Sequence, residues 1–571
     1  METALIQEQG LRIAVEGCGH GTLHAIYASI AKSCELKGWD GVDLLIIGGD
    51  FQSVRNAHDL KAVAMPEKYR EMCDFHEYYS GARTAPYLTI FVGGNHEASN
   101  YLWELYYGGW VAPKMYYMGA ANVIRLGPLR IAGLSGIWKG YDYKKPHYER
   151  LPYNDADTRS IFHVRELDTR KLIQIRSQVD IGISHDWPRG MEWKGNHRQL
   201  FKFKPYFEQE AKDSTLGSVA AKTVMERLRP AHWFSAHMHA KYAAVWEHED
   251  GPSSLVPEPR NSAPATIAKN EEEIDLGMDD DVEVANPNND AEIDLDTDDD
   301  DALTVTTSEA KDQVTTSDQK GTNGASSEVP QEIRDLLPES FARPSTDTAT
   351  PPPSLPFPAE ITNKTTRFLA LDKCLPNRHF LQLVEIEPLA PKCFQRPLQL
   401  EYDKEWLAIT RVFANELQLG DPDAQVPANK GDAYYRPLIE REVEWVEENI
   451  IKVGKMMIPE DFQQTAPVFD PSTGIRVNGQ PQEYTNPHTQ TFCDLLQIPN
   501  AFHASAQERE QMMQKGPRPN APRSERGGGR GGMRGGYRGG NRDRGRGRGG
   551  RGRGGFSSNN VPLGRGRGRG R

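Results

Sequence analysis

Five short motifs in the first half of the chain carry side chains of the kinds that bind divalent metal ions. In chain order they are Cys18-Gly19-His20, Gly48-Gly49-Asp50, Gly94-Asn95-His96-Glu97, Ser184-His185-Asp186 and His237-Met238-His239. Thiolate, imidazole, carboxylate and amide groups suit zinc, iron and manganese. We therefore expect a centre that holds metal ions against a phosphate.

The first three motifs each follow a short apolar run, at residues 11–15, 44–47 and 87–92. Runs of this length, bounded by turn residues, predict buried strands. Helices are predicted over residues 23–36 and 215–228. Helices between parallel strands give an α/β layered architecture, which gathers the ligands at one end of a sheet. His237 and His239, two positions apart, are expected to face the same way on a strand.

The order and composition of the five motifs resemble the calcineurin-like metallophosphoesterases over residues 11 to about 245. This resemblance implies a layered sandwich of two sheets flanked by helices. It also implies two metal pockets that share one carboxylate, which can bridge two ions. The first pocket would contain Cys18, His20, Asp50 and His239, and the second would contain Asp50, Asn95, His185 and His237.

The same resemblance implies a catalytic group consisting of Asp50, Asn95 and His96. His96 would lie beside the phosphate and stabilise the transition state or protonate the leaving oxygen, a role worth roughly 10²–10⁴ in rate. Glu97 and Asp186 are expected to orient the ligating histidines.

Cys18 departs from the family pattern, because an aspartate is usual at this place in the first motif. A thiolate ligand favours zinc or iron over magnesium. The predicted cofactors are therefore one or two divalent ions, drawn from Mn²⁺, Zn²⁺ and Fe²⁺.

The sequence between the motifs narrows the resemblance to the lariat debranching enzymes. The matching stretches are residues 93–102, 107–113, 133–137, Ser184-His185-Asp186-Trp187-Pro188, 216–218 and 233–239, with 368–376 and 405–409 resembling the C-terminal domain of that family. The likeness covers roughly residues 1–250 and 364–500. It implies hydrolysis of the 2′–5′ phosphodiester at the branch of an excised intron lariat. The product would be a linear RNA for turnover during mRNA processing.

Two other readings of the motifs stay open at this point. A DNA nuclease or a protein phosphatase would share the same metal core. A non-enzymatic RNA-binding scaffold would depend on the C-terminal tail instead of the motifs.

Residues 138–165 form a candidate lariat-recognition loop, because the segment is long, lacks clear periodicity and contains both basic and aromatic side chains. Such side chains suit phosphate contact and base stacking. The candidate RNA contacts are Lys139, Tyr141, Tyr143, Lys144, Arg150 and Arg159. Arg55-Asn56 and Tyr69-Arg70, near the second motif, are further candidates.

Composition divides the 571 residues into four parts. Residues 1–248 are expected to be the catalytic domain, and 363–510 a smaller C-terminal α+β domain. Residues 249–362 are acidic and poor in apolar side chains, and they are expected to be a disordered linker. In the C-terminal domain we predict strands over 366–371 and 380–386 and helices over 402–417 and 438–451. Ile439, Val443, Val446 and Ile450 share one face of the last helix.

Residues 511–571 are expected to be a disordered tail of Arg-Gly repeats. From residue 516 onward the tail contains 16 arginines and two acidic residues, although the whole chain has a net charge of -12. Concentrated positive charge predicts binding to nucleic acid. The predicted partners are branched intron lariat RNA, RNA held by the tail, and spliceosome-associated proteins.

The sequence also carries expectations about location. It contains no apolar run of the roughly 18 residues that a membrane helix needs, and no signal peptide is apparent. Six cysteines without a C-x-x-C pair suit a reducing compartment. Because lariats form where splicing occurs, we expect the nucleus, with some protein in the cytoplasm.

Overall fold

The computed structural model of the chain describes residues 10–249, 355–390 and 394–519. Most of the predicted linker and most of the Arg-Gly tail lie outside these residues. No helix in the described ranges is long and apolar enough to cross a membrane.

The described residues contain thirteen strands, which form two sheets. The strands are β1 Leu11–Glu16, β2 Leu44–Ile47, β3 Thr89–Phe91, β4 Gly109–Ala112, β5 Met115–Tyr117, β6 Ala121–Leu126, β7 Leu129–Leu134, β8 Ile181–Ser184, β9 His232–Ser235, β10 Tyr242–Glu247, β11 Thr365–Ala370, β12 Leu381–Ile386 and β13 Leu400–Tyr402. The first sheet has the order β12-β1-β2-β3-β5-β4, and the second has the order β10-β11-β9-β8-β7-β6-β13. The predicted two-sheet sandwich is confirmed.

The parallel strands of each sheet end at the motifs. In the first sheet β1, β2 and β3 are parallel neighbours, with Ala14 opposite Leu45 and Ile46 opposite Ile90. In the second sheet β7, β8 and β9 are parallel neighbours. Since parallel strands end at the same edge, the loops after β1, β2, β3, β8 and β9 can converge.

Helices cover the sheets and fill the C-terminal region. They are α1 Leu23–Lys37, α2 Phe75–Ser80, α3 Ser99–Glu104, α4 Gly140–Tyr143, α5 Asp155–Ser160, α6 Glu166–Leu172, α7 His197–Phe203, α8 Phe207–Lys212, α9 Val219–Leu228, α10 Lys404–Phe413, α11 Asp432–Val446, α12 Pro487–Leu496 and α13 Ala506–Lys515. Helix α9 begins four residues after its predicted start because Ser218 caps it, accepting a hydrogen bond from the backbone N–H of Ala221. Helix α10 begins after Asp403 for the same reason.

The apolar side chains lie in two layers. Leu11, Ile13 and Val15 of β1 belong to the core between the sheets, together with Ile181 and Ile183 of β8. On the other face of the first sheet, β1 and β2 pack against α1. In the C-terminal region the predicted apolar face is observed: Ile439 and Val446 of α11 are buried, as is Ile450 in the π-helical turn Glu447–Ile451 that follows it, and Val443 packs on the core.

The C-terminal region supplies strands to both sheets. β12 pairs antiparallel with β1, with Leu11 opposite Ile386. β11 lies between β9 and β10, parallel to the first and antiparallel to the second. β13 pairs with β6. The region expected to be a smaller α+β domain therefore completes the catalytic sheets, and its helices pack beside them.

Two predicted boundaries of disorder are wrong where the structure describes them. Residues 355–362 were expected to belong to the disordered linker, but Ile361 is buried there. Arg229 lies 4.1 Å over the ring of Phe357. The tail was expected to begin at residue 511, but α13 continues to Lys515, with a capping box formed by Ser505 and Glu508 at its start. Local apolar burial and capping order these segments despite their polar composition.

Candidate metal centre

The loops after β1 and β2 are held together by their backbones. The N–H of Gly19 donates to the carbonyl of Gly49 at 3.1 Å, and the N–H of His20 donates to the carbonyl of Asp50 at 2.6 Å. His20 and Asp50 have φ values of 41° and 46°, in the left-handed region that L-residues rarely adopt. This strained pairing turns both side chains toward the edge where the strands end.

The first predicted pocket is assembled. One ligand atom from each of Cys18, His20, Asp50 and His239 lies within 4.8 Å of all the others. The Nε2 atoms of His20 and His239 are 3.3 Å apart. Nε2 of His20 is 3.8 Å from Oδ2 of Asp50.

The second predicted pocket adjoins the other oxygen of the same carboxylate. Nε2 of His185 is 3.5 Å from Oδ1 of Asp50 and 3.2 Å from Oδ1 of Asn95. Nδ1 of His185 donates to the carbonyl of Gly48 at 2.9 Å, which leaves a lone pair on Nε2. Three acceptor atoms therefore face one another, and their mutual repulsion is relieved by a cation placed between them.

The last motif lies in a turn after β9, and the expectation that its histidines lie on a strand is wrong. His237 and His239 have φ values of 60° and 46°. The backbone N–H of His237 donates to Sγ of Cys18 at 3.2 Å. The ring centroid of His237 is 4.9 Å from that of His185. The left-handed turn lets His239 join the first pocket while His237 faces the second.

His96 lies beside the ligand group, where the sequence predicted it. Its backbone N–H donates to Oδ1 of Asp50 at 2.8 Å. Its Nδ1 is 3.2 Å from the carbonyl of Ala64, and its ring centroid is 5.8 Å from that of His20. With Nδ1 engaged by a carbonyl, Nε2 is the atom available to a substrate.

The expectation that Glu97 and Asp186 orient histidines is not met. Glu97 accepts hydrogen bonds from the backbone N–H groups of Phe51, Gln52 and Gly94, at 2.8–3.0 Å, and so shapes the loops. Burial, aided by the negative charge of Asp50, raises the pKa of Glu97 to about 8.

The carboxylate of Asp186 accepts from the backbone N–H of Trp138 at 3.1 Å. It therefore fixes the start of the candidate recognition loop to the metal centre.

Carbonyl groups and an amide orient the histidines instead. His185 is held by Gly48 and His96 by Ala64, and Gln52 lies 3.2 Å from Nδ1 of His20. Backbone carbonyls have no side-chain signature, so the sequence could not identify them. For Gln52 the one available signal is its position two residues after Asp50.

Electrostatics keep the pocket ready to bind a cation. Burial lowers the pKa of His20 to about 4, and burial together with His20 lowers that of His239 to about 2, so both imidazoles are neutral at pH 7. Burial opposes ionisation of Asp50, but the neighbouring His185, His96 and His20 bring its pKa below the usual range. A thiol, neutral imidazoles and a carboxylate form a donor set that fits divalent zinc, iron or manganese.

Glycine is required where the loops touch. A Cβ at Gly94 would lie 2.2 Å from Oδ1 of Asp50, and a Cβ at Gly49 would lie 2.1 Å from Nδ1 of His185. Neither contact is sterically possible, so any larger residue would displace a ligand.

The candidate recognition loop contains α4 and α5 and exposes some of its predicted contacts. Tyr141 is 66% exposed, and Lys144 and Arg159 are also exposed. Lys139 and Arg150 are half-buried. Tyr143 differs, because its ring packs on Trp138 with centroids 4.8 Å apart and so supports the loop.

Arg55 is excluded as an RNA contact. Its side chain is fully buried, with ion pairs of 2.8 Å to both Asp59 and Glu104. It therefore belongs to the interior.

The loop between β11 and β12 also reaches the metal centre, which sequence reasoning missed. The N–H of Cys18 donates to the carbonyl of Asp372, and the N–H of Cys374 donates to the carbonyl of Cys18, both at 3.3 Å. Lys373, which lies between them, pairs with Cys18 in a parallel bridge. More than 350 residues separate these partners along the chain, and no local pattern links them.

Comparisons with known proteins agree with this geometry. Residues 11–241 match the family described as calcineurin-like phosphoesterase, and residues 363–501 match the lariat debranching enzyme C-terminal domain. The lariat debranching enzyme of Schizosaccharomyces pombe is 40% identical over 487 residues, which cover 84% of this chain and 95% of that protein.

The Drosophila melanogaster and human proteins, also named lariat debranching enzyme, are 41% and 37% identical. Their matches cover 86% of this chain in both cases, and 78% and 69% of the respective relatives. The chain therefore belongs to the lariat debranching enzyme family of calcineurin-like phosphoesterases.

Proposed function

We propose that this protein hydrolyses the 2′–5′ phosphodiester at the branch point of excised intron lariats and releases linear RNA. One observation carries the proposal. Asp50 presents one oxygen to His20, which is grouped with Cys18 and His239, and the other oxygen to His185, which also faces Asn95. A carboxylate shared in this way is suited to two cations that clamp a phosphate.

Divalent cations in these pockets would neutralise the phosphate and lower the pKa of the attacking water. The residues around them supply position and a proton. Asn95 and Asp50 both lie against Nε2 of His185, which fixes where a phosphate oxygen can lie. His96, held at Nδ1 by Ala64, presents Nε2 beside the site, from which a proton can pass to the departing 2′-oxygen of the branch nucleotide.

We further propose that the metals are manganese, zinc or iron(II), in one or two positions. Cys18 supports this choice because a thiolate is a poor ligand for magnesium. The neutral imidazoles of His20 and His239 are also better ligands for these metals than for magnesium.

Specificity for the branch is assigned to residues 138–165. Tyr141, Lys144 and Arg159 are exposed on this loop, whose start is tied to Asp186 beside the metal ligand His185. Phosphate contacts and stacking from this side can recognise the geometry of a 2′–5′ linkage while leaving the 3′–5′ linkage intact.

The Arg-Gly tail is proposed to add RNA affinity that does not depend on sequence. Its net charge of +14 from residue 516 onward supports binding to phosphates, and the affinity should fall steeply with added salt. A nuclear location, with some cytoplasmic protein, and contacts with spliceosome-associated proteins are proposed because lariats arise during splicing.

The competing functions are not favoured. A DNA nuclease or protein phosphatase would share the metal core, but the family match extends through the C-terminal domain. An RNA-binding scaffold without catalytic activity would not need metal-binding side chains that meet at one site.

The decisive experiment uses purified full-length protein and a synthetic RNA with a single 2′–5′ branch. With manganese, zinc or iron(II), we expect cleavage of the branch and no cleavage of a linear RNA of the same sequence. Chelation should abolish the activity, and the ion that restores it identifies the metal.

His96→Ala should reduce turnover by about 10²–10⁴, whereas His58→Ala, at an exposed histidine in the loop after Asp50, should have no effect. Preferential cleavage of linear DNA or of a phosphopeptide would instead support one of the competing enzymes.

A further inference from the structure

A cluster of positive charge lies around Asp372, whose backbone carbonyl accepts a hydrogen bond from Cys18. It comes from the loop between β11 and β12 and from the end of α7. The cations are Lys373, Arg378 and Lys204, and they surround the buried carboxylate of Asp372. Nη1 of Arg378 is 3.5 Å from Oδ2 of Asp372.

Backbone pairing fixes this cluster to the metal centre. Asp372 and Cys374 both hydrogen-bond the backbone of Cys18, so Lys373 is adjacent to a predicted metal ligand. Lys373 is half-exposed, and its backbone lies against Cys18 of the proposed metal centre. The repulsion between these positive charges is offset when an anion binds between them.

An exposed aromatic ring continues the cluster away from the metals. Phe203, the last residue of α7, is 53% exposed. The guanidinium of Arg378 lies 5.9 Å and the ammonium of Lys204 lies 5.6 Å from its ring centroid. Lys202 beside it is also exposed. An open aromatic face flanked by cations is the arrangement that binds single-stranded RNA through stacking and phosphate contacts.

A branch nucleotide has three RNA strands attached, so a recognition loop on one side cannot hold all of them. We infer that Lys373, Arg378 and Phe203 form a second path, along which one single-stranded arm of the branched RNA leaves the metal centre. Its phosphates contact Lys373 and Arg378, and one base stacks on Phe203. The inference rests on the proposed function, and it gives the C-terminal region a direct part in substrate binding.

Steady-state kinetics of full-length protein test this path. Phe203→Ala and Arg378→Ala should each raise KM for branched RNA about tenfold, with kcat nearly unchanged, as expected for loss of one stacked base or one phosphate contact. Tyr434→Ala, at another exposed aromatic residue, and Lys32→Ala, at an exposed lysine of α1, are matched controls and should leave KM unchanged.

Hydrolysis of bis(4-nitrophenyl) phosphate, which has no RNA arm, separates a path from a structural effect. Phe203→Ala and Arg378→Ala should hydrolyse it at the rate of the unmodified protein. Equal loss on both substrates, or KM values equal to those of the controls, would overturn the inference.

Crosslinking distinguishes failure of the path from failure of the proposed function. A branched RNA with 4-thiouridine in each arm in turn should crosslink from one arm to peptides containing Phe203 or Arg378. This result would stand even if the branch were not cleaved. Crosslinks from every arm confined to other peptides would contradict the path, even if cleavage were efficient.

Discussion

At the scale of single residues, one carboxylate organises the centre. Asp50 faces His20 with one oxygen and His185 with the other, and it also accepts the backbone N–H of His96. The proposed metal pockets and the proposed proton donor are therefore positioned by the same side chain. A displacement of about 1 Å here can cost on the order of 10²-fold in rate.

Cys18→Asp should change which metal ion the protein binds most tightly, while leaving the fold largely intact. The substitution replaces a soft thiolate ligand with a hard carboxylate. The affinity for zinc and iron(II) should therefore fall relative to the affinity for manganese and magnesium. Calorimetric titration of the metal-free protein with each ion measures this shift independently of activity. The control is Cys73→Ser, at a half-buried thiol, and it should leave the metal affinities unchanged. Cys34→Asp would be unsuitable, because Cys34 is buried in the apolar layer under α1. An unchanged order of affinities in Cys18→Asp would exclude the thiolate as a ligand.

Gly94→Ala should strongly reduce activity while leaving most of the fold intact. The new methyl group would lie 2.2 Å from Oδ1 of Asp50 and must displace it. We expect a loss of about 10²-fold or more in kcat/KM for branched RNA. Gly140→Ala, where the nearest atom would be 3.7 Å from the new Cβ, is the matched control and should retain full activity. Equal activity of the two variants would show that the loop adapts.

At the scale of elements, strand ends and tight loops bring the ligands together. β1, β2 and β3 end beside one another, and β8 and β9 do the same in the other sheet. Ligands in the left-handed region cost of order 1–3 kcal/mol each unless the surroundings hold them. Here the hydrogen bonds between the loops provide that restraint.

The junction of β10 and β11 gives a prediction for pH dependence. His248 is buried after β10, with Nε2 2.7 Å from Oγ1 of Thr366, and burial lowers its pKa to about 4. In the unfolded chain the pKa is near 6.5. The unfolded state therefore binds a proton that the folded state does not, and stability is lost as pH falls from about 6.5 toward 4.

Between pH 7 and pH 5 this residue should lower the free energy of unfolding by about 2 kcal/mol. His248→Gln should lose correspondingly less stability over that range, as measured by urea denaturation at the two pH values. His58→Gln, at an exposed histidine, should behave as the unmodified protein does. Identical pH dependence in all three proteins would show that His248 titrates normally in the fold.

At the scale of the whole molecule, the two family regions are structurally inseparable. β11 lies inside the second sheet between β9 and β10, and β12 covers the edge of the first. A buried ion pair of 2.6 Å between Arg130 of β7 and Asp403 before α10 also joins them. The described residues accordingly belong to one compact unit that ends near Asn520.

Residues 1–249 expressed alone should therefore be insoluble or unfolded. Without β11 the sheet is interrupted between β9 and β10, and the unpaired edges favour aggregation. Coexpression with residues 355–571 should restore soluble protein and branch cleavage, as measured by copurification and activity. A soluble, active 1–249 fragment would contradict the interdependence of the two regions.

The sequence by itself identified the candidate ligands and most of the local structure. Apolar runs predicted β1, β2, β11 and β12 to within a residue or two at each end, because burial and periodicity are encoded locally. Five motifs in a known order indicated the chemistry, since few structural roles require Gly-Asn-His-Glu directly after a strand. The apolar face of α11 was also apparent from spacing alone.

Only the tertiary structure decided how the parts meet. The left-handed turn at His237 and His239, the carbonyls that hold His185 and His96, and the contact of Lys373 with Cys18 all involve backbone groups or distant partners. Such contacts leave no mark on the composition of either segment. They arise because strands more than a hundred residues apart pair in one sheet, and strand pairing depends on the whole fold.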